Sequence, residues 1–352
     1  MSESVSFSTQ VVRWQAVHGR SHLPWQQTRE PYRVWLSEVM LQQTQVSTVL
    51  DYYPRFLARF PDVNALAEAS EDDVLALWSG LGYYSRARNL HRCAQQVMAL
   101  HGGQFPRTAE VLQSLPGIGR STAGAIAAFC FSERVAILDA NVRRVLTRAL
   151  GFGADLAVAA NERALWDRAT DLLPRTQLEQ SMPRYTQGLM DLGAMVCLAR
   201  KPQCLLCPVQ SQCVAQQEGA PENYPVKTRK LVRKAQSWWL LLLRDSQGRV
   251  RLERRPSSGI WSGLHCVPMY AQRADAIAHS AVASAKRVVE LPPFLHVLTH
   301  RDFHLHPVLV EVAAGVDADA GGAADSNSAW VTRAQWTALG LPAPIRKLLD
   351  TA

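Results

Sequence analysis

From the N-terminus to about Ala220, apolar residues recur at three- and four-residue intervals, the period of helices buried on one face. Proline and glycine interrupt this pattern at HGRSHLPW, ARFPDV and LHGGQFP, which predicts a series of helices joined by short turns. Pro31 is suited to open a helix that runs through Val34, Trp35, Glu38 and Leu41, because its fixed φ matches a first helical turn. Asn64 to Trp78 and Tyr84 to Leu100 read as two further helices. LPGIGRSTAG then predicts a helical hairpin over about 112–129, turning at Pro116-Gly117-Ile118-Gly119. A helix carrying Arg143, Arg144 and Arg148 opposite Val142, Val145 and Leu146 follows Asp139.

Past residue 235 the period changes. SWWLLLLRDSQGRVRLERR reads as a strand, a turn at Ser246-Gln247-Gly248 and a second strand. A helix is expected around Asp275 to Val289, another at the C-terminus, and a loop at Gly315 to Ser328. The reading is therefore multidomain: an all-α domain over 1–224, a basic Pro-bearing linker over 225–234, and an α+β domain over 235–352.

Charge and cysteine usage narrow the chemistry. The formal net charge of +8 favours a polyanionic partner, nucleic acid or an anionic membrane surface. MSESVSFSTQ lacks a basic segment followed by an apolar run, and Trp238 to Leu243 is too short to span a bilayer, so a cytoplasmic chain is expected. Seven cysteines argue against a disulfide framework. Four of them, Cys197, Cys204, Cys207 and Cys213, are separated by six, two and five residues. Four thiolates so closely spaced suit either zinc or a 4Fe–4S cluster, and spacing alone does not choose.

Gly117 and Gly119 free backbone N–H groups to meet a phosphate, and the helix that begins there adds its positive end. An aspartate such as Asp139, just ahead of a helix, is most often an N-cap.

LPGIGR, the downstream Asp139 and the Cys-x6-Cys-x2-Cys-x5-Cys tail together resemble the helix–hairpin–helix DNA glycosylases, relatives of endonuclease III. WLSEVMLQQTQV, GLGYYSRARNL and MDLGAMVC narrow the resemblance to the MutY family of adenine DNA glycosylases, and it extends over nearly the whole chain. The resemblance implies a helix–hairpin–helix glycosylase domain with an iron–sulfur cluster loop at 197–213, holding one 4Fe–4S cluster, followed by a Nudix-like domain. It implies a monomer acting on double-stranded DNA that carries adenine opposite 8-oxoguanine or guanine, with no membrane partner.

The same resemblance assigns roles. Glu38 is implied as the general acid on adenine N7, its place in an apolar helix keeping it protonated, and Asp139 as an ionised stabiliser of the sugar cation. Asn141 and Ser121 are implied to orient water or Asp139. Bifunctional relatives carry a lysine where Ser121 stands, and a serine forms no imine, so a monofunctional enzyme is implied. Leu23, Trp25 and Gln187 are candidates for the adenine pocket. Gln42, Gln43 and Tyr83 match the wedge that enters the helix during base flipping. Gly117, Gly119, Arg143 and Gly259 are candidate backbone contacts, and Thr299 and His300, in the stretch LTHRDFHL, candidate lesion contacts. A working Nudix hydrolase needs an acidic box, whereas ADAIAHSAVASAKRVVE has a single glutamate at its end, so this domain is expected to recognise rather than hydrolyse.

Overall fold

The computed structural model describes residues 5–228, 232–313 and 328–351. The expected loop Gly315 to Ser328 lies outside these residues except for Ser328, and Lys230 of the linker is outside them too. The helices of the first two-thirds are α1 (Phe7–His18), α2 (Pro31–Leu41), α3 (Val46–Arg59), α4 (Val63–Glu68), α5 (Glu71–Trp78), α6 (Ser85–His101), α7 (Ala109–Leu112), α8 (Arg120–Phe131), α9 (Ala140–Leu150), α10 (Ala159–Asp171), α11 (Leu178–Met195) and α12 (Val214–Gln217). The C-terminal part comprises β1 (Lys234–Asp245), β2 (Val250–Arg254), β3 (His265–Cys266), β4 (Met269–Tyr270), α13 (Arg273–Ile277), α14 (Ser280–Ala283), β5 (Arg287–Glu290), β6 (Phe294–Val297), β7 (Arg301–Val312), β8 (Ser328–Val331), α15 (Arg333–Thr337) and α16 (Ala343–Thr351).

Two compact units emerge. One holds the residues up to Glu68 together with those from Asn89 to the linker. The other groups Ala69–Arg88, a segment the sequence reading gives to the helical domain, with the sheet-bearing C-terminal part. Among the described residues no helix is long and apolar enough to cross a membrane.

In the first unit α2 is buried nearly all round. Pro31 starts it, the Glu30 carboxylate caps it by accepting from the Tyr32 and Arg33 N–H groups, and Val34, Trp35, Leu36, Val39 and Met40 are all in the core. A carboxylic side chain on such a helix, Glu38, is thereby carried into the interior. α8 is lined with Ala123, Ala125, Ala127 and Ala128, which are fully buried and let it pack closely against its neighbours. α11 packs on α1, α8 and α9. At Gly193 it approaches α9 so nearly that a Cβ would stand 2.7 Å from that of Asn141.

Two expected helices are corrected. Asn64 to Trp78 is not one helix: Ser70 adopts an extended backbone and its hydroxyl accepts from the Asp73 N–H, so it caps a new helix whose first turn is acidic. The stretch Asp275 to Val289 holds two short helices and then a strand, because the β-branched Val288 and Val289 pair with Val310 and Leu309 of β7.

The second unit is a mixed sheet of order β3-β2-β1-β7-β5, with β4, β6 and β8 pairing β1, β7 and β2. Its centre is the parallel pair of β1 and β7, in register from Lys234↔Arg301 to Asp245↔Val312. The apolar run of β1 is buried on both faces: Leu240 and Leu242 enter one core, Leu241 and Leu243 the other. The stretch Leu298 to Leu305 is less of a loop than its sequence suggests. Only Leu298–His300 turn between β6 and β7; Arg301 onward is strand, with Phe303 and Leu305 buried.

Candidate active site

Glu38 and Asp139 reach one cavity of about 390 Å³ from opposite elements of the first unit. α2 supplies Glu38. Asp139 ends the extended segment that runs along α8, and its Oδ1 accepts from the Asn141 and Val142 N–H groups at 2.7 and 2.8 Å. It is thus an N-cap and a cavity carboxylate at once. Ser121, in the first turn of α8, accepts from the Leu138 N–H at 3.1 Å and so ties the hairpin helix to the backbone just ahead of Asp139.

Burial dominates the protonation of both carboxyls. Glu38 is pushed up to about 8, first by burial and then by the facing charge of Asp139. Asp139 is also pushed up by burial, contrary to the simple expectation of an ordinary ionised aspartate. Its two backbone N–H bonds and the nearby Arg144 and Arg143 pull it the other way. Glu38 has no such counterweight, because both influences on it raise its pKa.

Other expected residues meet here. Leu23, Trp25, Gln42, Ser121, Asn141 and Gln187 line the same cavity, and Leu23 and Trp25 are buried. The Asn141 side chain is engaged by Arg144, whose Nη2 donates to its Oδ1 at 2.9 Å, so its backbone N–H rather than its amide serves Asp139. Gln42 donates to the Thr122 hydroxyl at 3.4 Å. Gln43 does not line the cavity; it is exposed with φ of +57°. Arg143 is ion-paired with Glu162.

Gly117 has φ of +77°, and a Cβ there would stand 2.7 Å from that of Asn89, so both conformation and space demand glycine. Gly119 is exposed and caps α8. In the second unit, Tyr83 is exposed at φ +49°, and its hydroxyl lies 2.7 Å from that of Thr299. His300 is exposed in the same turn as Thr299, and Gly259 is exposed at φ +88°.

Several cavity residues escaped the sequence reading. Gln26 lines it, and both its amide atoms are buried without a hydrogen-bond partner among the described residues. A second cavity of about 260 Å³ shares Trp25, Gln26, Glu38 and Gln187 with the first and adds Arg29 and Arg184. Arg20, which lines the first cavity, forms an ion pair at 2.7 Å with the buried Asp191, 171 residues away in the chain. No local signal marks such a pair.

Cys197, Cys204, Cys207 and Cys213 line one small cavity with Arg148. Burial and the neighbouring thiols raise Cys204, Cys207 and Cys213, Cys207 to about 12. Among the described residues no three His, Cys, Asp or Glu side chains are grouped to hold a single metal ion. Arg148 is almost fully buried, yet it bonds carbonyls of Leu198 and Ala199 and the Cys197 sulfur, at 3.3 Å, rather than a carboxylate. A fixed cation beside four soft thiol donors fits a thiolate-bound group that carries negative charge.

The sequence matches the profile of the HhH-GPD superfamily base excision DNA repair proteins over residues 36–169 and that of the NUDIX domain over residues 239–351. The fold and the site therefore define a helix–hairpin–helix base excision repair protein with an appended Nudix-type domain. An adenine DNA glycosylase of Buchnera aphidicola subsp. Acyrthosiphon pisum is 33% identical over 347 residues, covering 98% of this chain and 97% of that one. The human adenine DNA glycosylase is 42% identical over 232 residues, 63% of this chain and 42% of its own. The chain belongs to the adenine DNA glycosylase family. Among solved structures, a thermostable thymine-DNA glycosylase superposes with a TM-score of 0.54 at 28% identity, over 60% of this chain and 95% of that one. An endonuclease III in complex with DNA shares the fold, with a TM-score of 0.50 at 20% identity over 60% of this chain and 94% of its own.

Proposed function

We propose that this protein is a monofunctional glycosylase of base excision repair that hydrolyses the N-glycosidic bond of adenine mispaired with 8-oxoguanine or guanine. The observation that carries the reading is the pair of carboxyls on one cavity, with Glu38 held neutral near physiological pH.

The cleavage needs a protonated leaving group and a stabilised sugar cation. Glu38 donates its proton to adenine N7 as the C–N electrons pass to the base. Asp139 is raised by burial, but four groups favour its charged form, and its charge is one of the two influences that raise Glu38. The Asp139 carboxylate then faces the positive charge that develops on the sugar, and a water adds to C1′ and gives its proton to the Glu38 carboxylate, leaving free adenine and an abasic sugar. Ser121 acts through Leu138 to hold the approach to Asp139, and offers no amine for strand cleavage. Asn141 holds Asp139 through its backbone N–H.

Adenine must leave the stack before any of this. Gln42, Gln43 and Tyr83 fill the space it vacates, while Leu23, Trp25 and Gln187 receive it. The hairpin N–H groups at Gly117 and Gly119, with Arg143, hold the phosphate backbone. Thr299, His300 and Gly259 contact the strand bearing 8-oxoguanine. Cys197, Cys204, Cys207 and Cys213 would hold one 4Fe–4S cluster, whose part would be to brace the loop they lie on, while the carboxyls carry the hydrolysis.

The test is single-turnover cleavage of a labelled duplex with one 8-oxoguanine·adenine pair, with and without hot alkali. Strand scission only after alkali supports the reading. Scission without alkali refutes the monofunctional assignment, and tight binding with no abasic product refutes the catalytic one.

A further inference from the structure

Arg148 lies on α9 one turn after Arg144, and both reach Cys197: Arg144 Nε donates to its carbonyl at 2.7 Å and Arg148 Nη1 to its Sγ at 3.3 Å. Arg148 is only 2% exposed. It also donates to the carbonyls of Leu198 at 2.6 Å, Ala199 at 3.0 Å and Tyr224 at 3.3 Å. The guanidinium therefore grips the chain where it enters the four-cysteine segment and again beyond its end. An arginine keeps its proton in a protein interior, and a buried charge without a counter-charge is unfavourable. The other two arginines of α9 have theirs: Arg143 pairs with Glu162, and the charge of Asp139 favours Arg144. Arg148 bonds only carbonyls and a thiol among the described residues, and Arg144 one turn away repels it.

We infer that the counter-charge of Arg148 is the group held by the four thiolates, so that Arg148 sets how readily that group takes up an electron and makes the packing of 197–224 depend on its presence. The inference rests on the cluster reading above and extends it from the residues that ligate to the residue that balances their charge. Four thiolates around iron leave a net negative centre, and a hydrogen bond to one of the sulfurs is among the levers that set its potential. Arg148 lines the same small cavity as all four cysteines, so its field falls on the whole centre and not on Cys197 alone. A fixed positive charge favours the state with the greater negative charge, so Arg148 raises the potential. Without the centre, the same charge stays buried against carbonyls and thiols, and it works against the closed loop.

The experiment measures, by voltammetry of the intact protein on an electrode, the one-electron midpoint potential of the wild type, Arg148→Met and Arg148→Lys. It also compares the melting temperature of each with iron bound and after the iron is chelated under reducing conditions. Arg148→Met keeps most of the length and removes the charge. It should disfavour the reduced state about tenfold, a fall of about 59 mV for one electron. Arg148→Lys keeps the charge and should stay near the wild-type potential. Arg148→Met should also lower the melting temperature of the iron-bearing protein but not that of the iron-free chain. Equal potentials in the wild type and Arg148→Met, or the same loss of melting temperature with and without iron, would make Arg148 a strap for carbonyls alone and overturn the inference. Should Arg148→Met bind no iron, Arg148→Lys decides: a wild-type potential upholds the inference, and a fall of about 59 mV despite the retained charge overturns it. A wild type that carries neither iron nor sulfide overturns the underlying cluster reading instead.

Discussion

Replacing Glu38 by glutamine should make the protein more stable while abolishing its chemistry. The carboxyl titrates at 4.5 when unfolded and at about 8 in the folded chain. At pH 7 the unfolded chain is therefore free to ionise Glu38 and the folded chain is not. This difference of about 2.5 pH units between 4.5 and 7 costs the folded state about 3 kcal/mol. The sign is that of a raised acid: the stability this group allows is fully present below 4.5 and is lost as the pH rises toward 8. Glutamine keeps the shape and removes the titration. Glu38→Gln should then gain about 3 kcal/mol at pH 7, or about 6–12 °C in melting temperature, but only about 1 kcal/mol at pH 5. Thermal unfolding of both proteins at pH 5, 6 and 7 reads this directly, alongside a single-turnover assay in which excision should drop by about 10²–10⁴. A gain that does not depend on pH, or a loss of stability at pH 7, would show that the Glu38 carboxyl is not held neutral by burial, and the acid assignment would lose its physical basis.

Further expectations follow from the same geometry. The wild-type single-turnover rate should fall as pH rises through about 8, where Glu38 loses its proton, and a profile flat to well above that value would sink the role of Glu38 as acid. Gly117→Ala should cost about 1–3 kcal/mol and weaken duplex binding, because φ is +77° and the new Cβ would stand 2.7 Å from Asn89 Cβ; unchanged melting and affinity would contradict it. The purified protein should be brown and contain iron and acid-labile sulfide in equal amounts, with Cys207→Ala colourless. A colourless wild type that carries zinc would replace the cluster by a structural zinc site.

Much of the site was legible in local sequence. The cap at Asp139, the glycines of the hairpin turn and the four cysteines each answer a local demand of backbone conformation or ligand chemistry, and such demands leave fixed residue types at fixed spacing. Helix boundaries were less legible where two local signals competed. Apolar periodicity runs through Ser70, yet its hydroxyl caps a new helix. The alanine-rich stretch before Val288 looks helical, yet Val288 and Val289 find partners on β7. In the first case a side-chain cap overrode periodicity. In the second, a strand distant in sequence overrode propensity.

By itself the sequence determined which groups the chain can offer: an acid on an apolar helix, a capping aspartate, a serine on the hairpin, a thiol quartet and a sheet core written as a continuous apolar run. Tertiary structure decided what those groups become. Only packing encloses Glu38 and turns it toward Asp139, since desolvation depends on everything around a carboxyl rather than on its neighbours in sequence. Only packing brings Arg20 to Asp191 across 171 residues. Likewise, the grouping of Ala69–Arg88 with the sheet, where Tyr83 meets Thr299, follows from surfaces that fit in three dimensions and have no signature along the chain.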